Sequence, residues 1–180
     1  MLYKKVVIVG GGFGGLNVAM SLKNPKFDVL LLDKKNHHLF QPLLYQVASA
    51  ALSPADIATP LREILSYHKN TSVIMGTVKQ IEKDKKQVVL TNGDIIVYDQ
   101  LVVAAGARHS YFGNNTWEPI APGLKTTADA LKIREKILLS FEQAERADSL
   151  EEAKKFLNFV IIGGGPTGVE TVSYTHLRAH

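Results

Sequence analysis

The sequence predicts an α/β fold with a parallel sheet, and two glycine-rich loops are the main basis for that prediction. Lys5–Val9 is a β-branched apolar run, typical of a strand buried on both faces, and a glycine cluster follows it directly. The apolar run Phe159–Ile162 leads into a second cluster of the same kind. Short apolar segments between the two clusters alternate with turn residues and predict a three-stranded antiparallel meander.

The first 33 residues form a predicted β-α-β unit. Leu16 and Ala19 follow helical spacing after the first glycines, and Pro25 ends that helix. Phe27–Leu32 is a second buried strand, closed by Asp33.

The middle of the chain is less regular. We expect a helical segment within Leu43–Ala51 and a firmer helix from Ser53, a plausible N-cap before Pro54, to about Tyr67. The antiparallel strands are predicted at Thr71–Ile81, Lys86–Leu90 and Asp94–Tyr98, and a short buried strand at Gln100–Ala104.

The last third is predicted to be mostly helical. Thr127–Arg146 carries apolar residues at helical spacing, and Ser149 with Glu152 forms a predicted capping box for one more short helix.

Composition limits the function. The 180 residues carry a net charge of +4, with lysines scattered rather than gathered in a basic stripe with aromatics, so nucleic-acid binding is not expected. The chain has no cysteine, which excludes disulfides, dithiol redox chemistry and cysteine-bound metals within it, and no metal site is predicted. It contains no recognisable signal peptide or transmembrane segment.

The first glycine motif predicts a dinucleotide site. Gly10 allows a tight turn out of the strand, Gly12 lets the backbone approach a pyrophosphate, and Gly15 lets the helix pack close to the strand. The helix N-terminus favours the phosphate charge. Asp33, at the end of the next strand, is placed to accept hydrogen bonds from ribose hydroxyls.

The second motif repeats this spacing with Gly163, Gly165 and Gly168. Two dinucleotide sites in one protein indicate electron transfer between two cofactors, for which a flavin and a nicotinamide are the obvious pair. Glu170 follows in the expected first turn of the next helix, where the helix dipole weakly favours a carboxylate.

The segments between the loops resemble a known family. His37–Ala50, Leu52–Ile57, Tyr98–Ala107 and Phe159–Glu170 are similar to the type II NADH dehydrogenases, which are single-subunit, FAD-dependent NADH:quinone oxidoreductases of the pyridine nucleotide-disulfide oxidoreductase superfamily. The resemblance implies a glutathione-reductase-like FAD-binding Rossmann domain with its meander, followed by the truncated start of a second Rossmann domain for NADH.

The resemblance also implies roles for individual residues. The residues it assigns to FAD are Gly10, Gly11, Gly12, Phe13, Gly14, Gly15, Asp33, Lys34, Gln41, Pro42, Val78, Ala105 and Gly106. NADH is expected at Gly163, Gly165 and Gly168, and Glu170 matches an acid that the family places near the junction of nicotinamide and flavin. His37 and His38 belong to a loop that shapes the flavin pocket, and neither is expected to be catalytic.

We expect four segments: an FAD-binding domain at residues 1–113, a helical connection at 114–155, the start of the NADH domain at 156–170, and a tail at 171–180. The tail resembles translated sequencing-adapter sequence, so it is expected to be non-native and its histidines are not expected to bind metal. The chain is therefore expected to be an N-terminal fragment that lacks NADH:quinone activity by itself.

Two other functions stay open. One is an FAD-dependent NAD(P)H reductase with a protein acceptor such as ferredoxin or rubredoxin, and the other is a non-catalytic FAD-binding fragment. The missing cysteines weigh against disulfide reductases and sulfide:quinone oxidoreductases. For the parent protein the resemblance implies a quinone acceptor, peripheral attachment to the cytoplasmic face of the cell membrane through a C-terminal region, and assembly as a homodimer.

Overall fold

The computed structural model describes residues 3–178, with side chains described to Ser173. The chain divides into two compact units. The first comprises the residues up to Leu39 together with Ala58–Ala107, and the second comprises Phe40–Ile57 and the residues from Arg108 onward. The expected division into segments 1–113, 114–155, 156–170 and 171–180 stays a prediction.

The first unit is built on a parallel sheet of four strands, which are β1 (Lys4–Val9), β2 (Phe27–Asp33), β5 (Thr71–Met75) and β9 (Gln100–Val103). Their order in the sheet is β5-β2-β1-β9. Helix α1 (Phe13–Ser21) connects β1 to β2, which confirms the predicted β-α-β unit.

Alternating residues of the central strand face two different core clusters. Val6 and Ile8 pack with buried residues of α1, such as Leu16, on one face of the sheet. Val7 packs on the other face with residues of the meander, including Val88. Each such buried aliphatic side chain contributes about 1.5–3 kcal/mol to folding. Because both faces of β1 are covered, its sequence is apolar without alternation.

The meander is an antiparallel sheet in the order β6-β7-β8, with β6 (Val78–Glu82), β7 (Gln87–Leu90) and β8 (Ile95–Val97). The prediction of a single strand at Thr71–Ile81 is wrong, because β5 joins the parallel sheet and only β6 joins the meander. The break falls at Gly76, whose N–H donates to Asp33 O at 2.8 Å and which lies so close to Leu90 that a Cβ there would be 2.9 Å from Leu90 Cδ1.

The predicted helix from Ser53 to about Tyr67 is also wrong. A single 3-10 turn at Pro54–Ile57 is followed by strand β4 (Ala58–Pro60), which pairs antiparallel with β3 (His37–Leu39), and by the short helix α3 (Leu61–Ile64). Pro60 explains the interruption, because a proline lacks the helical N–H and forces the residue before it into an extended conformation.

The second unit is helical. Its helices are α2 (Leu44–Ala48), α4 (Thr127–Glu145), α5 (Leu150–Phe156) and α6 (Pro166–Arg178). A capping box between Thr126 and Asp129 begins α4, and the Ser149 hydroxyl accepts the Glu152 N–H at 3.2 Å to begin α5. The apolar face predicted for α4 is only partly covered, since Ala130 is fully buried and Phe141 is half exposed.

Phe159–Ile162 does not form the predicted strand. Within residues 3–178 it pairs with no other segment, and Val160 and Ile162 are about four-fifths exposed. The reason is that a strand exists only as part of a ladder, and no described segment forms backbone pairing with this one. The expected tail at 171–180 partly falls outside the described residues, as do His180 and the side chain of His176.

Between residues 3 and 178, no helix is both long enough and apolar enough to span a bilayer.

We predict that Lys86→Gly stabilises the chain. Lys86 ends the turn between β6 and β7 with φ +48°, where a side chain costs about 1–2 kcal/mol and glycine costs nothing. After allowing for the greater freedom of glycine in the unfolded chain, we expect a gain of about 0.5 kcal/mol in the free energy of unfolding, measured by urea denaturation. Lys83→Gly, at the start of the same turn and outside the positive-φ region, removes the same charge and should lose stability; a gain from both variants would contradict the explanation.

Candidate functional site

The first glycine loop lies between the end of β1 and the start of α1. Gly10 has φ +108°, and a Cβ there would lie 2.2 Å from the Ala104 carbonyl oxygen. Its N–H donates to Leu32 O at 2.7 Å, while the Ala104 N–H donates to Val9 O at 2.8 Å. The loop therefore lies at the carboxyl edge of the parallel sheet, where ligands bind in open α/β sheets.

The glycines of this loop differ in their surroundings. A Cβ at Gly15 would lie 1.8 Å from Gly10 O, so α1 crosses the loop too closely for any side chain. By contrast, nothing lies within 4 Å of a Cβ built at Gly12. Gly12 is also the N-cap of α1, and no side chain caps that helix. The open space beside an uncapped helix N-terminus suits an anion, since the first-turn N–H groups lack intrahelical partners.

Asp33 lies directly against the loop. One carboxylate oxygen accepts the Gly11 N–H at 2.5 Å, and the other accepts the Lys35 N–H at 2.7 Å. A carboxylate has about four acceptor positions, so Asp33 keeps capacity for hydroxyl donors of a ligand. Lys34 beside it is exposed.

Three other predicted residues also lie in the first unit. A Cβ at Gly10 would be 3.3 Å from Ala105 Cα, so Ala105 borders the glycine loop. Gly106 follows with φ +73°, and Val78 begins β6. Gln41 and Pro42 form a 3-10 turn in the second unit, so their expected role stays a prediction.

His38 also lies against the first glycine loop, a contact that the sequence does not predict. Its Nδ1 lies 3.1 Å from the Gly11 carbonyl oxygen, and its ring contacts Phe13 edge-on with 4.9 Å between the ring centroids. The sequence offers no periodic signal for this contact, because it depends on the β3–β4 pairing.

The second glycine loop repeats the backbone geometry of the first. Gly163 has φ +111°, and a Cβ at Gly168 would lie 2.1 Å from Gly163 O. A Cβ at Gly165 meets nothing within 4 Å, as at Gly12. The loop therefore has the same close helix crossing and the same open position.

Glu170 is exposed and belongs to α6. The expectation that it lies in the first turn of this helix is wrong. The helix begins at Pro166, a residue favoured at the first helical position, so Glu170 is its fifth residue. The helix dipole therefore stabilises this carboxylate less than the sequence suggests, because the effect fades beyond the first turn.

In the described part of the chain, histidine and acidic side chains do not gather in threes where they could hold a metal ion.

Known proteins are similar to this chain in sequence. The family model for the pyridine nucleotide-disulphide oxidoreductases matches residues 4–180. The type II NADH:quinone oxidoreductase Ndh of Mycobacterium tuberculosis is 48% identical over 169 residues, covering 92% of this chain and 36% of that protein.

Solved structures are similar as well. The structure of NDH2 from Plasmodium falciparum in complex with NADH matches with a TM-score of 0.80 at 31% identity, covering 93% of this chain and 36% of that one. The sulfide:quinone oxidoreductase from Aquifex aeolicus matches with a TM-score of 0.70 at 28% identity, covering 77% of this chain and 32% of that one. The chain thus spans about a third of the length of these relatives.

Proposed function

This chain belongs to the pyridine nucleotide-disulphide oxidoreductase family, and from that membership we propose that its first glycine loop binds FAD within an NADH:quinone oxidoreductase. The single observation that carries the FAD site is the open position at Gly12 beside the uncapped N-terminus of α1. The similarity to the mycobacterial enzyme supports NADH as electron donor and a quinone as acceptor.

The residues of the first unit fit this cofactor. The loop Gly10–Gly15, including Gly11, Phe13 and Gly14, would hold the pyrophosphate, because a side chain at Gly12 would fill the space that the phosphates need. Asp33, with Lys34 beside it, would bind the ribose hydroxyls. Val78 is proposed near the adenine, and Ala105 and Gly106 near the flavin. Gln41 and Pro42 belong to the second unit, and their role toward FAD is what the resemblance alone implies.

NADH is proposed to bind at the second loop. Its support is the repeated geometry of Gly163, Gly165 and Gly168, which leaves the same open position before a helix. Glu170 is proposed as the residue of this chain that acts at the electron-transfer site, and its exposure leaves it accessible to a ligand.

When bound, FAD supplies two-electron redox chemistry that links a nicotinamide donor to a quinone. The work of this chain is to bind and orient: the backbone of the first loop holds the phosphate charge, and Asp33 sets the position of the ribose. Orientation of this kind lowers the barrier by holding reactants near their reacting geometry. The absence of cysteine from all 180 residues supports a reaction without a dithiol in this chain.

We also propose that the complete protein lies on the cytoplasmic face of the cell membrane and assembles as a homodimer. Quinones reside in the bilayer, so an enzyme that reduces them must meet the membrane surface. The absence of a spanning helix between residues 3 and 178 is compatible with peripheral attachment.

The test is to purify both the 180-residue chain and the complete protein that contains it. We expect the chain to retain FAD through gel filtration, seen as flavin absorbance, without bleaching on addition of NADH. The complete protein should oxidise NADH rapidly with menaquinone or ubiquinone analogues. Loss of FAD from the chain would contradict the cofactor site, and faster reduction of rubredoxin or ferredoxin than of any quinone would favour a protein acceptor instead.

A further inference from the structure

Both backbone polar groups of Gly11, which belong to two successive peptides of the first glycine loop, have side-chain partners. The Gly11 N–H donates to the Asp33 carboxylate at 2.5 Å, and the Gly11 carbonyl oxygen lies 3.1 Å from His38 Nδ1. The sequence assigns Asp33 to the ribose and His38 only to a loop that shapes the flavin pocket. The contact joins residues 27 positions apart in the chain.

The carbonyl partner determines which ring nitrogen of His38 carries a hydrogen in this contact. A carbonyl oxygen can only accept, so Nδ1 of His38 must carry the hydrogen. That condition holds for the neutral ring protonated at Nδ1 and for the doubly protonated ring. The ring also meets the Phe13 side chain edge-on, so two different interactions fix its position.

The consequence for the loop follows from peptide geometry. In a planar trans peptide the carbonyl and the next N–H point in opposite directions. Because the Gly11 carbonyl is turned toward His38, the Gly12 N–H is turned away from it. Gly12 is the position where the loop is open, so this peptide orientation governs which backbone groups face that space.

We propose that His38 is a positioning residue for the dinucleotide site: it locks the Gly11–Gly12 peptide in the orientation that offers the Gly12 N–H to a phosphate. It acts through the loop and does not itself touch the reacting atoms. This inference rests on the proposed FAD site and deepens it. The antiparallel pair of β3 and β4 serves to hold the histidine, since His38 pairs with Thr59 in that ladder.

Two variants separate the interactions of His38. His38→Phe keeps an aromatic ring for the contact with Phe13 and removes the donor. His38→Asn removes the ring but keeps an N–H donor at a similar distance from the backbone. His68→Phe is the control, because His68 lies just before β5 at the amino edge of the parallel sheet, whereas the glycine loop lies at the carboxyl edge.

We expect His38→Phe to weaken FAD binding by the chain about tenfold, equivalent to about 1.4 kcal/mol, whereas His38→Asn should recover most of the affinity. His68→Phe should bind FAD like the unaltered chain. Hydrogen exchange of the glycine-loop amides, measured without flavin, should accelerate in His38→Phe only, while the thermal unfolding midpoint stays similar in all variants.

The outcomes are distinguishable. If the unaltered chain does not bind FAD, the proposed function fails, and the exchange measurement still decides whether His38 orders the loop. If the chain binds FAD and His38→Phe leaves both affinity and loop exchange unchanged, the positioning role is overturned. Equal losses in His38→Phe and His38→Asn would show that an N–H donor at this position does not restore FAD binding, and would also overturn the proposal.

Discussion

Replacing Gly15 with alanine is expected to remove FAD binding and to destabilise the chain by more than about 3 kcal/mol, at or beyond the upper range for overpacked sites. The added Cβ would lie 1.8 Å from Gly10 O and 3.0 Å from Gly10 C, and neither backbone atom can turn aside as a side chain can. Helix α1 would have to move away from β1. That movement would expose Leu16 and Ala19, which are buried against the sheet.

Circular dichroism during heating, with flavin absorbance after gel filtration, measures both effects. Gly14→Ala is the matched control, because its Cβ would meet Ala104 Cβ at an ordinary 3.8 Å and alanine is the better helix former. We expect this neighbouring variant to keep or raise the unfolding temperature. If the Gly15→Ala chain unfolds at the same temperature as the unaltered chain, α1 does not cross the loop as described.

Gly12→Val should separate the two effects: the fold should stay intact while FAD binding is lost. The backbone at Gly12 is extended, with φ −75° and ψ −168°, and a Cβ there meets nothing within 4 Å. The unfolding free energy should therefore change by less than about 0.5 kcal/mol. FAD affinity should fall by at least about 100-fold, or roughly 2.7 kcal/mol, because the valine occupies the proposed pyrophosphate space.

Titration of flavin fluorescence gives the affinity, and urea denaturation gives the stability. Gly165→Val is the corresponding change in the second loop, where the position is equally open. It should leave FAD binding by the chain unchanged and weaken NADH binding in the complete protein. Full FAD affinity in Gly12→Val would refute the assignment of the first loop to the pyrophosphate.

The elements that the sequence predicts well depend on local chemistry. Both glycine loops follow from spacing, since Gly10 and Gly163 must adopt positive φ and Gly15 and Gly168 must lack a side chain. The strands β1 and β2 follow from continuous apolar runs that suit a sheet covered on both faces. The start of α5 follows from a local hydrogen bond, in which the Ser149 hydroxyl accepts the N–H of Glu152, only three residues further along the chain.

The incorrect predictions share a different cause. The segment from Ser53 to Tyr67 looks helical by its N-terminal residues, but Pro60 and the pairing of β4 with β3 override that tendency. Thr71–Ile81 looks like one strand, but its halves pair with different sheets. Phe159–Ile162 has the composition of a buried strand and, among the described residues, no neighbour to pair with.

The sequence by itself determined the two glycine loops, the acid that follows β2 and the family to which the chain is similar, because these depend on residue type and short spacing. Only the tertiary structure decided which side chains hold the first loop. Asp33 and His38 reach Gly11 from 22 and 27 residues away, across two strand pairings that no local pattern encodes. The physical reason is that a hydrogen bond needs its donor and acceptor within about 3 Å, and the packing of β1, β2 and β3 sets that distance.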